Sequence, residues 1–381
     1  MLRTATITWT SFYNYGTCLQ AYALQHFIVS LGYENHIVDD KSIVFPVPKS
    51  DKSTAVECKW KRRWRKAWQS LRANYRTFYR CQRMLCQGVD GFKAKILKID
   101  YDTPSVLKDK KDYDVYICGS DQIWNPKILS DNRRLFYYAA FTNKKKISYA
   151  PSIGRYQIPD EWKEKVAELI KSFYAISVRE EAGRDALQEL TQQKVELVVD
   201  PTLLLSKKEW EDILSCKYIK KEKYVLGYIL TPNDTYYRIA CEYAQQHGLK
   251  FYLFMLNLED YGHADRLISG GPFDFLAYIR NADMVFTDSF HGTIFSTIFE
   301  VPFYTFKRFS DDSPINQNSR IETLLMNMGA ADRLIDEKMK SELTDAMPDF
   351  DEMMSRMKPL IEHSKDYLKE NLTSIENNGK R

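Results

Sequence analysis

Four short polar stretches stand where an apolar run that reads as a strand gives way to one that reads as a helix. Asn14-Tyr15-Gly16 is the first. Backbone amides at a helix N-terminus favour an anion or a hydroxyl-rich ligand, and the same residues would serve equally as a turn in which Gly16 supplies backbone freedom. The second is GSDQIWNP, residues 119–126. Ser120, Asp121, Gln122 and Asn125 offer hydrogen bonds beside Trp124. A sugar site has this composition, with a ring stacked on C–H faces and polar groups reading hydroxyls. An Asp N-cap and a packing Trp would use the same letters. The third is SVRE, residues 177–180, where Arg179 can grip a carboxylate or phosphate with its planar fork or pair with Glu180 or Glu181. The fourth is DSFHGT, residues 288–293. His291 stands at a helix mouth, able to move a proton near neutral pH, with Asp288 close enough in sequence to orient it or to act as a second base. The amides of Gly292 and Thr293 face a phosphate there. Of six histidines this is the only one in such a turn.

Residues at strand ends matter because open α/β sheets place their crevice at the carboxyl ends of the strands. The pattern predicts a strand over about 2–9, a helix over about 17–31 stopped by Gly32, and a second strand at HIVD. Residues 40–110 are less regular and read as a helical insertion. DYDVYICG and KISYA are the next strands. After Pro159, strands FYAISV, VELVVD, KYVLGYIL, KFYLFML, DMVFTD and VPFYTF alternate with helices. Such alternation implies parallel sheets. The expected architecture is α/β, with two Rossmann-like domains facing a cleft. The first covers 1–155 with the insertion, and the second covers 156–345. A C-terminal helix and tail occupy 346–381; the helix, over about 353–372, packs back on the first domain, and the tail is expected to be disordered.

Composition narrows the class. The length of 381 residues suits two domains. Seven cysteines, with no C-x-x-C pair, read as free thiols in a reducing compartment, and no metal cluster is expected. There is no leader-like N-terminus and no apolar run long enough for a membrane span, so a cytoplasmic protein is expected. Residues 59–80 hold nine Lys or Arg and no acid while the chain carries only +4, so the basicity is local and argues against a nucleic-acid surface. Trp60, Trp64 and Trp68 recur at helical spacing within it. That is the composition of a helix lying on a membrane, or of one that packs its Trp face internally.

Together these stretches resemble the polysaccharide pyruvyl transferase family over about residues 4–330. NYGTCLQAYALQHFIVSLGY, DYDVYICGSDQIWNP, ISYAPSIG, AISVREEAG, VVDPTLLL and GPFDFLAYIRNADMVFTDSFHGTIFSTIFEVPF carry the resemblance, and NSRIETLL continues it. It implies a fold like the two-domain GT-B glycosyltransferases, phosphoenolpyruvate as donor substrate with no further cofactor, and a cyclic pyruvate ketal formed on a sugar. Acceptors of this kind are often carried on a lipid pyrophosphate, which would suit docking at the inner face of the membrane. The family's strand-end Arg and helix-mouth His map onto Arg179 and His291. Where some members have Arg-Leu-His, this chain has Ser289-Phe290-His291. Arg320, Lys307 or Arg308 is then expected to replace the missing donor arginine. Asn14, Tyr15, Gly16, Ser120, Asp121, Gln122, Trp124 and Asn125 are expected on the acceptor side. A nucleotide-sugar glycosyltransferase and a non-catalytic glycan-binding member of an assembly system are the alternatives on the same fold.

Overall fold

The computed structural model describes residues 2–40, 65–102, 107, 113–126, 132–154, 157–214, 222–309, 316–336 and 343–379. Its first sheet is centred on β1 (Arg3–Ile7), buried on both faces over Thr4–Ile7, as a central parallel strand must be. β2 (Glu34–Val38), β3 (Ile99–Asp100), β4 (Val115–Cys118) and β5 (Lys145–Ser148) complete it in the order β3-β2-β1-β4-β5, all parallel. α1 (Tyr15–Ser30) follows β1, capped by the Asn14 side chain, which accepts from Thr17 N.

The first sheet does not end near residue 155. A parallel bridge from Ile147 to Ala175 leads into β6 (Ile176–Val178), which pairs with β7 (Val195–Leu197). Tyr174 N donates to Lys146 O at 2.7 Å across that junction. Ile176, Val178 and Val195 share a core with Ala5, Ile7 and Val38. The first half therefore runs to about residue 200 rather than to 155. Strand pairing decides this, and the repeat of strands and helices along the sequence is blind to it. α3 (Asp160–Ile170) and α4 (Glu181–Gln188) belong to this half.

The second sheet has the order β10-β9-β8-β11-β12-β13, again parallel throughout. Its strands are β8 (Tyr224–Tyr228), β9 (Lys250–Phe254), β10 (Arg266–Ile268), β11 (Met284–Thr287), β12 (Phe303–Phe306) and β13 (Leu334–Ile335). The edge strands β3, β10 and β13 escaped the sequence reading because two or three residues carry no measurable alternation.

One core joins the two halves. Among the described residues of the insertion, one long helix, α2 (Arg65–Ile96), crosses to the second half. Gln82 Nε2 donates to Leu256 O at 3.0 Å, and Ser269 Oγ donates to Cys81 O at 2.7 Å. α5 (Lys207–Ile213), α6 (Asp234–Gln246), α7 (Pro272–Arg280), α8 (Phe290–Ile298) and α9 (Ser319–Met328) complete the second half. α10 (Phe350–Gly379) packs back on the first half as expected, with Val199 N donating to Ser364 Oγ and Tyr367 OH to Ser148 O. It is longer than expected: residues 374–379 of the SIENNGKR tail read as disordered are helical, and Ile375 is buried. Trp60 and Trp64 lie outside the described residues, as does the Trp68 side chain. Among the described residues Cys18, Cys81, Cys86, Cys118 and Cys241 are free thiols. No described helix is long and apolar enough to cross a membrane.

Candidate active site

In the first sheet the strand order reverses between β1 and β4, and in the second between β8 and β11. Crevices open at such switch points, and here both open onto one cavity of about 180 Å³. Trp9, Phe12 and Asn14 reach it from the end of β1, Asp121 and Gln122 from β4, Leu230 from β8, and Asp288 and Ser289 from β11. Arg308, Phe309, Gln317, Asn318 and Arg320 close it from the segment beyond β12. Of the residues expected from sequence, Asn14, Asp121, Gln122, Asp288, Ser289, His291 and Arg320 meet in this wall.

His291 is 7 % exposed. Its Nε2 is enclosed and 3.6 Å from Asp200 Oδ2, longer than a hydrogen bond. Its Nδ1 lies against Gly16. A Cβ at that glycine would stand 2.1 Å from Nδ1, so Gly16 is required for close approach across the two halves, and no turn is involved.

The helix mouth is capped from within. Ser289 Oγ accepts from Gly292 N at 3.3 Å, and Ser289 O accepts from Thr293 N at 3.0 Å. Those two amides, expected to face a phosphate, are therefore occupied. The donors that the first turn leaves over are the N–H groups of Phe290 and His291, which have no partner among the described residues. Ser289 acts here as the N-cap.

Arg179 is expected to grip a ligand, yet its side chain is wholly enclosed and outside the cavity wall. Nη1 binds Asp200 Oδ2 at 2.5 Å, Nη2 binds Asp121 Oδ1 at 3.2 Å, and Nε is 4.0 Å from Glu180 Oε2. Burial works against the guanidinium charge, but these three carboxylates outweigh it and raise its pKa. Burial likewise opposes ionisation of Asp200, and His291 and Arg179 overcome it, holding the acid well below the usual carboxylate range. Asp121 is lowered for the same reason, burial being outweighed by Arg179 and His291. Asp121 also adopts a left-handed φ of 69°, a conformation Asp tolerates, while accepting from Thr17 Oγ1 at 2.8 Å.

The guanidinium that does face the cavity is Arg320. With the Gln122 amide turned so that its oxygen faces the guanidinium, that oxygen accepts from Arg320 Nη2 at 2.7 Å. Arg179 and Arg320 both lie over the Phe290 ring, at 4.7 and 5.9 Å. Burial first, and then the neighbouring Arg179 charge, push Arg320 down to about 10. An anion in the cavity would relieve that repulsion. Arg308 is the second cation of the wall, its Nε donating to Thr231 Oγ1 at 2.8 Å. Lys307 instead lies 3.8 Å from both Glu322 and Asp336.

Several acceptor-side expectations are corrected. Trp124 is 1 % exposed, stacks on Tyr138 at 4.8 Å and 2°, and donates to Tyr137 O. Its indole packs the first core and is no platform. Tyr15 stacks on Phe275 at 4.9 Å and fastens the two halves together. Ser120 and Asn125 are buried behind the wall, Ser120 Oγ donating to Ala150 O. The aromatic residues that do line the cavity are Trp9, Phe12, Phe290 and Phe309, with Trp9 and Phe12 centroids 4.9 Å apart. Trp9 and Phe12 sit at a strand end, as Asp200 does after β7, and the rule applied to the other turns would have reached all three.

Asp288 does not orient His291. Its oxygens accept from Leu230 N at 2.6 Å and Thr231 N at 3.0 Å. Burial pushes its pKa up to about 6, against the pull of those amides and of Arg308. Between the ordinary value near 3.9 and about 6, the native state holds a proton the unfolded chain has lost. The stability this group contributes is therefore full below about pH 4 and lost as pH rises through about 6. Urea midpoints of the wild type and Asp288→Asn should diverge accordingly, the wild type losing ground to the variant from pH 4 to 6. A constant difference would show that Asp288 ionises normally.

Residues 14–308 match the model of the polysaccharide pyruvyl transferase family, most of the chain. The chain belongs to the polysaccharide pyruvyl transferase family. That membership makes it a transferase. Comparison with curated proteins finds no match. Among solved structures, the UDP-GlcNAc 2-epimerase of Neisseria meningitidis bound to UDP-GlcNAc is similar at 11 % identity and a TM-score of 0.50, covering 98 % of this chain and all of that one. The UDP-N-acetylglucosamine 2-epimerase of Rickettsia bellii is 11 % identical, with a TM-score of 0.47 over 99 % of this chain and 98 % of that one. The E. coli heptosyltransferase WaaC with ADP is 14 % identical, with a TM-score of 0.39 over 82 % and 89 %. The likeness is one of fold, and the fold of this pyruvyl transferase family member is the two-domain GT-B arrangement. Among its described residues no group of three His, Cys, Asp or Glu could hold a metal.

Proposed function

We propose that this transferase moves the pyruvyl group of phosphoenolpyruvate onto two hydroxyls of a sugar in a surface-polysaccharide precursor, releasing phosphate and leaving a cyclic ketal. The observation that carries the reading is a small cavity of about 180 Å³, in which His291, Arg308, Arg320 and the mouth of α8 share the wall with Asp121 and Asp288. Pockets for drug-sized ligands run to roughly 300–1,000 Å³. A three-carbon phosphorylated acid suits the smaller space, and a nucleotide sugar does not.

In the reaction, His291 gives a proton to the methylene carbon of the donor, which becomes a methyl group beside an oxocarbenium-like carbon. A sugar hydroxyl adds to that carbon and surrenders its proton to His291. The C–O bond to phosphate then breaks, and a second hydroxyl closes the ketal, its proton leaving with the phosphate. Arg320 and Arg308 hold the anionic groups in place of the arginine that Ser289 replaces. The free amides of Phe290 and His291 add dipole at the helix mouth. Trp9 takes over the stacking role expected of Trp124, with Asn14 and Gln122 beside it for hydroxyls. The acceptor is a lipid-pyrophosphate-linked sugar met at the inner face of the membrane, with 59–80 as the contact.

Mass spectrometry of acceptor glycans incubated with each donor tests the reading. Ketal formation adds about 70 Da and a hexose about 162 Da, so site chemistry and not fold decides the product. Phosphoenolpyruvate-dependent gain of the smaller mass is expected. Gain of the larger mass from a nucleotide sugar, or tight glycan binding with no turnover of any donor, would sink it. In the same assay Trp9→Ala should raise the acceptor KM roughly tenfold, one stacking contact being worth about 0.5–1.5 kcal/mol beyond its buried area, and leave the donor KM unchanged. An unaltered acceptor KM would remove Trp9 from the sugar subsite.

A further inference from the structure

Asp200 ends the run VELVVD, and nothing in the transfer chemistry above uses it. It is 2 % exposed. Its Oδ1 is engaged locally, accepting from Thr202 N at 3.0 Å and Thr202 Oγ1 at 2.7 Å. Its Oδ2 is shared. Arg179 Nη1 donates to it at 2.5 Å, Ser120 Oγ lies at 3.5 Å, and His291 Nε2 faces it at 3.6 Å. That nitrogen is buried and has no hydrogen-bond partner among the described residues.

A neutral imidazole carries its proton on one nitrogen only. With the proton on Nδ1, the Nε2 lone pair would point at a buried carboxylate, two negative ends in a low-dielectric interior. With the proton on Nε2, the N–H dipole points at that carboxylate across a 3.6 Å gap that a small approach would turn into a hydrogen bond. Catalytic hydrogen bonds are often long without ligand and tighten with it. The other charges around this centre do not reverse the preference. Asp121 after β4 and Glu180 after β6 share Arg179 with Asp200, Arg320 on α9 stands across Phe290, and Tyr149 after β5 is held neutral by burial and by Asp200.

We infer that Asp200 is a positioning residue that fixes His291 as the Nε2–H tautomer and leaves the Nδ1 lone pair, on the Gly16 side, as the atom that exchanges protons. The tautomer follows from the geometry alone; its use in proton exchange rests on the pyruvyl-transfer reading. In that use Asp200 takes no proton. Nδ1 gives its proton to the donor carbon and regains one from the sugar hydroxyl, Nε2 keeps its own, and the carboxylate steadies the imidazolium that precedes the first event and follows the second.

Long-range proton–nitrogen NMR on the full chain labelled with ¹⁵N-histidine reads the tautomer directly, at a pH where the ring is neutral, with His291 assigned by loss of its signal in His291→Gln. Wild-type protein should show Nε2–H. A predominant Nδ1–H form would overturn the inference, with no variant and no turnover needed. In Asp200→Asn that preference should be lost, and kcat should fall by about 10²–10⁴-fold while the donor KM stays within about threefold, as for a histidine held in the wrong tautomer. A folded variant that keeps the Nε2–H form, or one whose donor KM rises at unchanged kcat, would also overturn it. Nε2–H in a protein that fails to use phosphoenolpyruvate would strike the proposed donor and leave Asp200 its role.

Discussion

Replacing His291 with Gln is expected to lower kcat for pyruvyl transfer by about 10²–10⁴-fold, the usual worth of a placed acid–base group, with the fold retained. The imidazole is a proton-exchanging group set in the wall beside Arg320, Arg308 and the open amides of α8. Its loss should leave little structural damage, because its Nε2 makes no hydrogen bond among the described residues and Gln keeps comparable bulk. Phosphate release from phosphoenolpyruvate in the presence of acceptor measures the effect, and the thermal midpoint controls for folding. Activity within tenfold of wild type would remove His291 from the chemistry. Ala is a poorer choice, since emptying the space over Gly16 invites the two halves to repack.

The second large effect falls on stability. Arg179→Met should destabilise the protein by about 3–5 kcal/mol, the cost of stripping one partner from a buried ionic network. The side chain is enclosed, its fork joins Asp200 to Asp121, and Glu180 is within 4.0 Å. Without the guanidinium these carboxylates must face one another or take up protons. The contact over Phe290 at 4.7 Å is lost as well. Set against a typical total of about 5–15 kcal/mol, such a loss is a large shift in the urea midpoint. Arg179→Lys should fall between, because an ammonium keeps the charge but cannot bond two carboxylates through a planar fork. Stability of Arg179→Met within 1 kcal/mol of wild type would show that the network is dispensable. The same comparison separates the buried role from ligand gripping: a direct clamp would raise the donor KM of the Lys variant with no change in its midpoint.

The exchange of roles between arginines has one cause. From the sequence, Arg179 and Arg320 are two cations near helix starts. In the fold, three acids from different segments converge on Arg179, whereas Arg320 is left with amide partners and an open side toward the cavity. A guanidinium with its charge satisfied by carboxylates is a structural element; one pressed down by a like charge is ready for an anion.

Much of the architecture was legible without coordinates. Alternating strands and helices required parallel sheets, and parallel sheets put every strand's carboxyl end on one edge. Asn14, Asp121, Asp288 and His291 therefore had to gather at crevices, whatever the details of packing. The extra extent of the first half, the burial of Trp124, the Gly16 contact with His291 and the sharing of Asp200 were decided only in three dimensions. Each depends on segments far apart in the chain meeting across a sheet edge or between the two halves. Local residue pattern records which side chains stand at a turn; which neighbours neutralise, cover or expose them is fixed by packing.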